Sequence, residues 1–196
     1  SGSTKVMVAK VDVCRGLVGE KIWESSVPVA YQESLAKASS FDDVLVAEGR
    51  AEFLSLVKEA KSKGGERAGG VATQAFREAQ NGKVVLAEFE RAANLILPTR
   101  LKVVSQDEEL KLGYRAGVLA SGGSVVNAVV WDIGGGSQQM AAKNPAKPEL
   151  MLTFKGDLAS TRFMQSFLKG GSESPNPVGA DGLQDGLMRA RKEARS

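Results

Sequence analysis

Residues 128–140, AVVWDIGGGSQQM, join an apolar run to one carboxylate and then to three consecutive glycines before a side chain returns at Ser137. Such a run closed by glycines reads as a buried strand followed by a tight bend. Three glycines are more than a bend requires, and a loop without side chains lets a ligand approach backbone N–H groups closely. A carboxylate beside that loop repels an anion unless a divalent cation mediates. Mg²⁺ does this by taking one carboxylate, waters and phosphate oxygens. Asp132 is therefore a metal-ligand candidate, and Gly134, Gly135, Gly136 and Ser137 a candidate anion cradle. The alternative is a plain hairpin turn with Asp as a turn former.

A second stretch of the same kind opens the chain: SGST at residues 1–4 puts small residues and two hydroxyl-bearing neighbours ahead of a strand, TKVMVAKVD (4–12). EKIWESSVPVAY (20–31) reads as one or two further strands, with Gly16 and Gly19 marking the turn before it. Phe53, Leu54, Val57 and Ala60 recur at helical spacing over 48–63, closed by Gly64 and Gly65. A short strand (68–73), a short helix (75–82) and a longer helix (84–96) follow. The last carries Val84, Phe89, Ala92, Ala93 and Ile96 on its apolar side and stops at Pro98. A strand at 101–105 leads to a helix at 106–120 with an acidic first turn, then to the strand 125–133. Beyond the glycines, SQQMAAK and ELMLTFKG read as antiparallel strands. A helix at 159–169, a loop at 170–182 and a charged helix at roughly 180–195 complete the pattern. A hairpin start followed by βα units predicts an α/β domain with a mixed sheet. The return of that start after residue 125 predicts a duplication, with a first domain at 1–124 and a second copy at 125–196 that is cut short.

Composition excludes several chemistries. The chain has no histidine, which removes Ser-His-Asp triads, imidazole bases and His-based zinc sites. Proton transfer must go through Asp, Glu, Lys, Tyr or water. The single cysteine, Cys14, allows no intrachain disulfide and suits a reducing compartment. A net charge of +3, with both signs interspersed, gives no push toward nucleic acid or a membrane. The basic clusters KEAKSKGGER and RARKEAR read as solvated helix ends. No apolar run approaches the ~20 residues of a membrane span.

Four segments together carry a resemblance: SGSTK (1–5), GVATQAFREAQNG (70–82), VVSQDEELKLGYRAG (103–117) and VVWDIGGGSQQ (129–139). In order and spacing they resemble the exopolyphosphatase / guanosine pentaphosphate phosphohydrolase (Ppx/GppA) family of the actin-like, sugar-kinase and Hsp70-like ATPase superfamily. NPVGADGL (176–183) resembles the start of a later helix of that family. The resemblance implies a ribonuclease-H-like fold in duplicate, with phosphates clamped between two glycine loops. It implies that Ser1, Gly2, Ser3 and Thr4 form the first phosphate loop and Gly134 to Ser137 the second, with Asp132 the Mg²⁺-associated carboxylate. Arg77 matches an arginine that contacts substrate phosphate, where a guanidinium fork suits a polyanion. Glu109 matches the carboxylate that activates water, with Glu108 the runner-up because the run DEE allows a one-residue slip. From the residues alone, these acids read equally well as complements to the helix dipole, and Arg77 as a helix-surface arginine.

The implied protein is a cytoplasmic, Mg²⁺-assisted hydrolase that removes terminal phosphate from polyphosphate or guanosine pentaphosphate. Nucleic acid and membrane are not among its implied partners, and a homodimer is an assembly open to it. Two departures qualify this. The family's first loop begins with an Asp three residues ahead of the position of Ser1, so an N-terminal portion lacking that residue is expected. Gln139 stands where the family has Glu, bringing no charge and no basic function. Two alternatives stand beside the hydrolase: a catalytically impaired phosphate or nucleotide sensor of the same fold, and an ATPase or kinase of the wider superfamily.

Overall fold

The computed structural model describes residues 2–35, 37–121, 128–147, 149–156, 159, 160, 163, 167 and 179–193. They group into two compact units, Ser1–Ser105 and Gln106–Ser196. Among them no helix is long and apolar enough to cross a membrane.

The first unit opens on an antiparallel hairpin of β1 (Ser3–Asp12) and β2 (Leu17–Pro28). Asp12 Oδ1 accepts from the backbone N–H groups of Cys14 and Arg15, both at 3.0 Å, and Gly16 turns the chain at φ +64°. Gly19 lies within β2, which runs as one strand and gives way to a short helix, α1 (Tyr31–Leu35). Helix α2 (Asp43–Ser62) begins five residues earlier than its apolar spacing predicts, because Asp42 caps it by accepting from Leu45 N at 2.8 Å. Gly64, at φ +89°, takes the left-handed position that ends it.

β3 (Ala68–Ala72) pairs in parallel with β4 (Thr99–Val103), Ala68 opposite Thr99 and Ala72 opposite Val103. Between them run α3 (Gln74–Glu78) and α4 (Gly82–Ala93). Antiparallel and parallel pairing thus coexist, in two separate two-stranded sheets rather than the single mixed sheet expected. The core is aromatic: Tyr31, Phe41 and Phe76 meet with ring centroids 4.9–5.4 Å apart, and Phe89 of α4 joins them. On α4 the buried side is Val85, Leu86, Phe89 and Ala93, while Val84 is 61% exposed. The helix starts at Gly82 and ends at Ala93, where Asn94 bonds the carbonyls of Glu90 and Thr99. Ile96 accordingly lies past its end.

In the second unit, α5 (Gln106–Ala120) spans the residues its periodicity predicts. It packs on an antiparallel sheet ordered β5-β6-β7 (Val129–Ile133, Gln138–Lys143, Met151–Gly156) through Leu110, Tyr114, Val118, Val130 and Ala141. A last helix, α6, covers Gly179–Glu193. Most of the expected helix at 159–169, residues 125–127 of the expected strand and residues 170–178 of the expected loop lie outside the described residues.

Candidate active site

In the first unit Ser1 lies outside the described residues, and Gly2 is exposed. The Gly2 carbonyl accepts from Val29 N at 3.1 Å, which closes the open end of the hairpin. Ser3 and Thr4 already belong to β1, opposite Pro28 and Val27, so only the first two residues precede the strand. The Thr4 side chain bonds the hydroxyl of Tyr31. Burial raises the pKa of Tyr31 above its ordinary value; the Thr4 bond works against that rise and the Glu48 carboxylate with it.

Arg77 stands half-buried on α3, which follows the C-terminal end of β3, and its Nη1 donates to Val104 O at 3.0 Å just past the end of β4. In open α/β sheets the carboxyl ends of strands are where ligands gather. Gly2 and Arg77 border the same pair of short helices. Glu33 Oε1 of α1 lies 3.9 Å from where a Cβ on Gly2 would stand. The neighbouring Gln32 donates to Glu78, which adjoins Arg77, at 3.4 Å. Asn81, which read as a helix stop, instead ties two loops together. Its side chain accepts from Phe41 N at 3.0 Å and donates to Phe41 O at 2.8 Å.

In the second unit, β5 and β6 form a hairpin whose turn closes with Gly134 N donating to Ser137 O at 2.9 Å. The Gly134 carbonyl accepts from Ser160, from its N–H at 3.2 Å and its hydroxyl at 2.9 Å. Among the described residues, left-handed φ values occur at Gly16 and Gly64. The three glycines of this turn therefore supply room, not handedness, as close approach of a ligand to the backbone requires. Asp132 is half-buried and directly opposite Gln139 in register. Gln139 and Ser137 are 2% and 3% exposed, and Gln139 Nε2 donates to Ser137 Oγ at 3.1 Å.

Helix α5 reaches this turn through two glycines that the sequence reading passed over. A Cβ on Gly117 would stand 2.8 Å from Val130 Cγ2, and one on Gly113 would stand 3.2 Å from Asp132 Oδ2. Four residues back along the helix thus match two residues forward along β5. The two steps are nearly equal, roughly 6 Å of helix against 6.6 Å of strand. Carried one step further, the same register would set position 109 level with Gly134. At 100° per residue, Glu109 lies about 40° round the helix from Gly113 and Glu108 about 140°. Of these two carboxylates, Glu109 is the one on the Gly113 side of the helix.

Among the described residues no group of three or more His, Cys, Asp or Glu side chains is placed to hold a metal ion. Asp132 offers one carboxylate at the end of β5. Mg²⁺ often takes only one or two, completing its shell with water and phosphate oxygens. The donor set therefore fits a cation that arrives with a phosphate chain.

A chain with two antiparallel hairpins and βα units between them is an α/β protein of the actin-like ATPase fold. Residues 45–178 match the Ppx/GppA phosphatase family, and the chain belongs to that family. The fold is similar to the crystal structure of the Aquifex aeolicus Ppx/GppA family member, at 20% identity and a TM-score of 0.64 over 91% of this chain and 55% of that one. A structure of the Aquifex aeolicus PPX-GPPA enzyme matches at 20% identity and 0.67, covering 98% and 60%. An exopolyphosphatase from Cytophaga hutchinsonii matches at 12% identity and 0.66, covering 90% and 54%. The chain thus spans little more than half the length of these structures. No curated protein sequence matches it.

Proposed function

We propose that the protein acts as a phosphohydrolase that removes the terminal phosphate of inorganic polyphosphate or guanosine pentaphosphate. In this reading Glu109 takes a proton from a water molecule as its oxygen attacks the terminal phosphorus in line. The new P–O bond forms as the anhydride P–O bond breaks, and orthophosphate separates from the shortened chain. Backbone N–H groups of Gly134, Gly135 and Gly136 and the Ser137 hydroxyl neutralise phosphoryl oxygens, as would the small residues Ser1, Gly2, Ser3 and Thr4. Arg77 is the first unit's guanidinium suited to grip phosphate oxygens of the substrate. Asp132 would hold a Mg²⁺ ion carried with the substrate, and such an ion would supply charge neutralisation of those oxygens. The fold boundary that suits this reading is a first ribonuclease-H-like copy to residue 124 and a second from 125. The lone, exposed Cys14 suits the reducing cytoplasm.

What supports the reading is the stepping of α5 along β5, Gly117 against Val130 and Gly113 against Asp132, which one step further would set Glu109 beside the glycine turn. The test is phosphate release from polyphosphate with Mg²⁺ by Glu109→Gln, expected to lose at least about 10²-fold in turnover, with substrate affinity changed only a few-fold. Activity that survives Glu109→Gln and is lost in Glu108→Gln would overturn the assignment.

A second reading rests on Gln139. With an amide bonded to Ser137 where the family has a carboxylate, the same cradle suits a phosphate or nucleotide sensor of weak turnover. A large gain of rate in Gln139→Glu supports the sensor. Equal Mg²⁺-dependent turnover in both chains supports the hydrolase.

A further inference from the structure

β4 has β3 on one side and, among the described residues, no strand on the other. Ala68 N donates to Pro98 O at 2.8 Å and Val104 N to Ala72 O at 3.0 Å, with Ala68 opposite Thr99 and Ala72 opposite Val103. In a parallel ladder of that register Pro98, Arg100, Lys102 and Val104 turn their backbone polar groups toward β3. Thr99, Leu101 and Val103 turn theirs outward. A strand edge of this kind is a template on which another chain can add a strand. Space for one lies alongside. A groove of about 380 Å³ is lined by Leu86 and Ala87 of α4 and by Leu101 and Val103 of β4, with no residue of β3.

Side chains of α4 and its cap take these outward groups instead. Asn94 Oδ1 accepts from Thr99 N at 2.9 Å, and Asn94 Nδ2 donates to Thr99 O at 3.0 Å. Two facing residues of antiparallel strands exchange the same pair of bonds; here a side-chain amide makes it. Glu90 Oε2 accepts from the next outward donor, Leu101 N, at 2.6 Å, and Glu90 Oε1 stands 3.5 Å from Arg100 Nη1. Asn94 Nδ2 also donates to Glu90 O at 2.9 Å, which ties the two residues together. Charge adds a second obstacle. Two copies related by a two-fold axis at this edge would run antiparallel. Centred on Leu101, such a pair would set Arg100 of each copy opposite Lys102 of the other, and like charges directly opposed are destabilising. We propose that Asn94 and Glu90 serve as a surrogate strand which, with Arg100 and Lys102, shuts β4 against pairing with a second copy of this chain. None of these four residues has a role in the hydrolytic scheme above, and the closure does not depend on that scheme.

The test follows hydrogen exchange at the Leu101 amide of the full chain at low and high protein concentration, with mass read by sedimentation. In the parent chain, and in Lys102→Glu alone, the Leu101 rate should not depend on concentration, because Glu90 still holds the edge closed. Glu90→Ala/Lys102→Glu removes the cap and sets opposite charges across the pair. Its Leu101 amide should slow at least about tenfold from low to high concentration as a dimer appears. Glu90→Gln/Lys102→Glu keeps an oxygen acceptor for Leu101 N and should behave as the parent. Should Glu90→Ala/Lys102→Glu fail to fold, Asn94→Ala/Lys102→Glu opens the other end of the edge and is read in the same way at the Thr99 amide. Association through any other surface leaves these amides unchanged. A Leu101 rate that falls with concentration in Lys102→Glu alone, or one that does not fall in Glu90→Ala/Lys102→Glu, would overturn the proposal. No substrate is involved, so either result leaves the assignment of Glu109 to its own test.

Discussion

Replacing Gly117 by Ala probes how α5 is seated on β5, and with it the position of Glu109. A methyl there would stand 2.8 and 2.9 Å from the two γ-carbons of Val130. Val130 is β-branched and stiff about χ1, so it yields poorly. Two terms oppose each other. Ala in place of Gly in a helix interior gains about 1 kcal/mol, and overpacking costs about 1–3 kcal/mol. The expected net loss is about 1 kcal/mol, a fall of roughly 2–4 °C for a chain of this size. Gly113→Ala is the matched control: its methyl would meet Asp132 Oδ2 at 3.2 Å, the end of a side chain that can rotate away. There the propensity term should prevail and stability should hold or rise by up to about 1 kcal/mol. Urea unfolding is followed by Trp131, which lies between Val130 and Asp132 on β5, in a Trp23→Phe background so that the second unit reports alone. A Gly117→Ala chain more stable than its parent by the full propensity gain would refute the close seat. It would also remove the register that brings Glu109 level with the turn.

Arg77→Ala should weaken polyphosphate binding more than it slows the chemical step, read as a rise in KM that exceeds the fall in kcat; an unchanged KM counts against the role. The Lys155 ammonium, bonded to Asp107 at 2.7 Å, holds that carboxyl below its ordinary value, with Lys111 adding to the effect. Because the folded pKa is depressed, the pair's contribution is present above the unfolded value and lost as pH falls through the folded one. Lys155→Met should therefore return the Asp107 titration, followed by NMR, toward about 3.9, while stability near neutral pH changes little for so exposed a pair. Gln139→Glu should lower the thermal midpoint without metal and recover it in MgCl₂; equal midpoints with and without Mg²⁺ would contradict this.

The second hairpin and α5 were legible because their signals are local: alternation broken by glycines in one case, an unbroken helical period with an acidic first turn in the other. The start of α2 was hidden, since Val44, Leu45 and Val46 resemble a strand and only the Asp42 cap declares a helix. On α4 a shift in the helix bounds rotated the expected face, putting Val84 outside and Val85 and Leu86 inside. The site divides the same way. Asp132 and the glycines announce themselves as punctuation. Gly113 and Gly117 do not, because a glycine in a helix reads from sequence as a cost, and only the strand it admits explains it. Their four-residue spacing was the available signal. The bond from Gln32 to Glu78 joins α1 to α3 across more than forty positions, and no spacing in the sequence announces it.

Gln139 shows what such a turn demands of its neighbours. It is buried, and it faces Asp132 across the β5–β6 pair, where opposed side chains stand about 4.5–5.5 Å apart at Cβ. A glutamate there would bury a second negative charge against the first, destabilising unless a cation neutralises both. The amide avoids this. Its Nε2 satisfies Ser137 Oγ inside the turn, and its carbonyl keeps an oxygen without a charge. The hairpin can therefore hold its shape with no metal bound, at the expense of one anionic ligand when Mg²⁺ arrives with phosphate. Metal-free stability and metal affinity are thus opposed at a single position. A stability difference between Gln139→Glu and its parent that appears only without Mg²⁺ is the direct signature of that opposition.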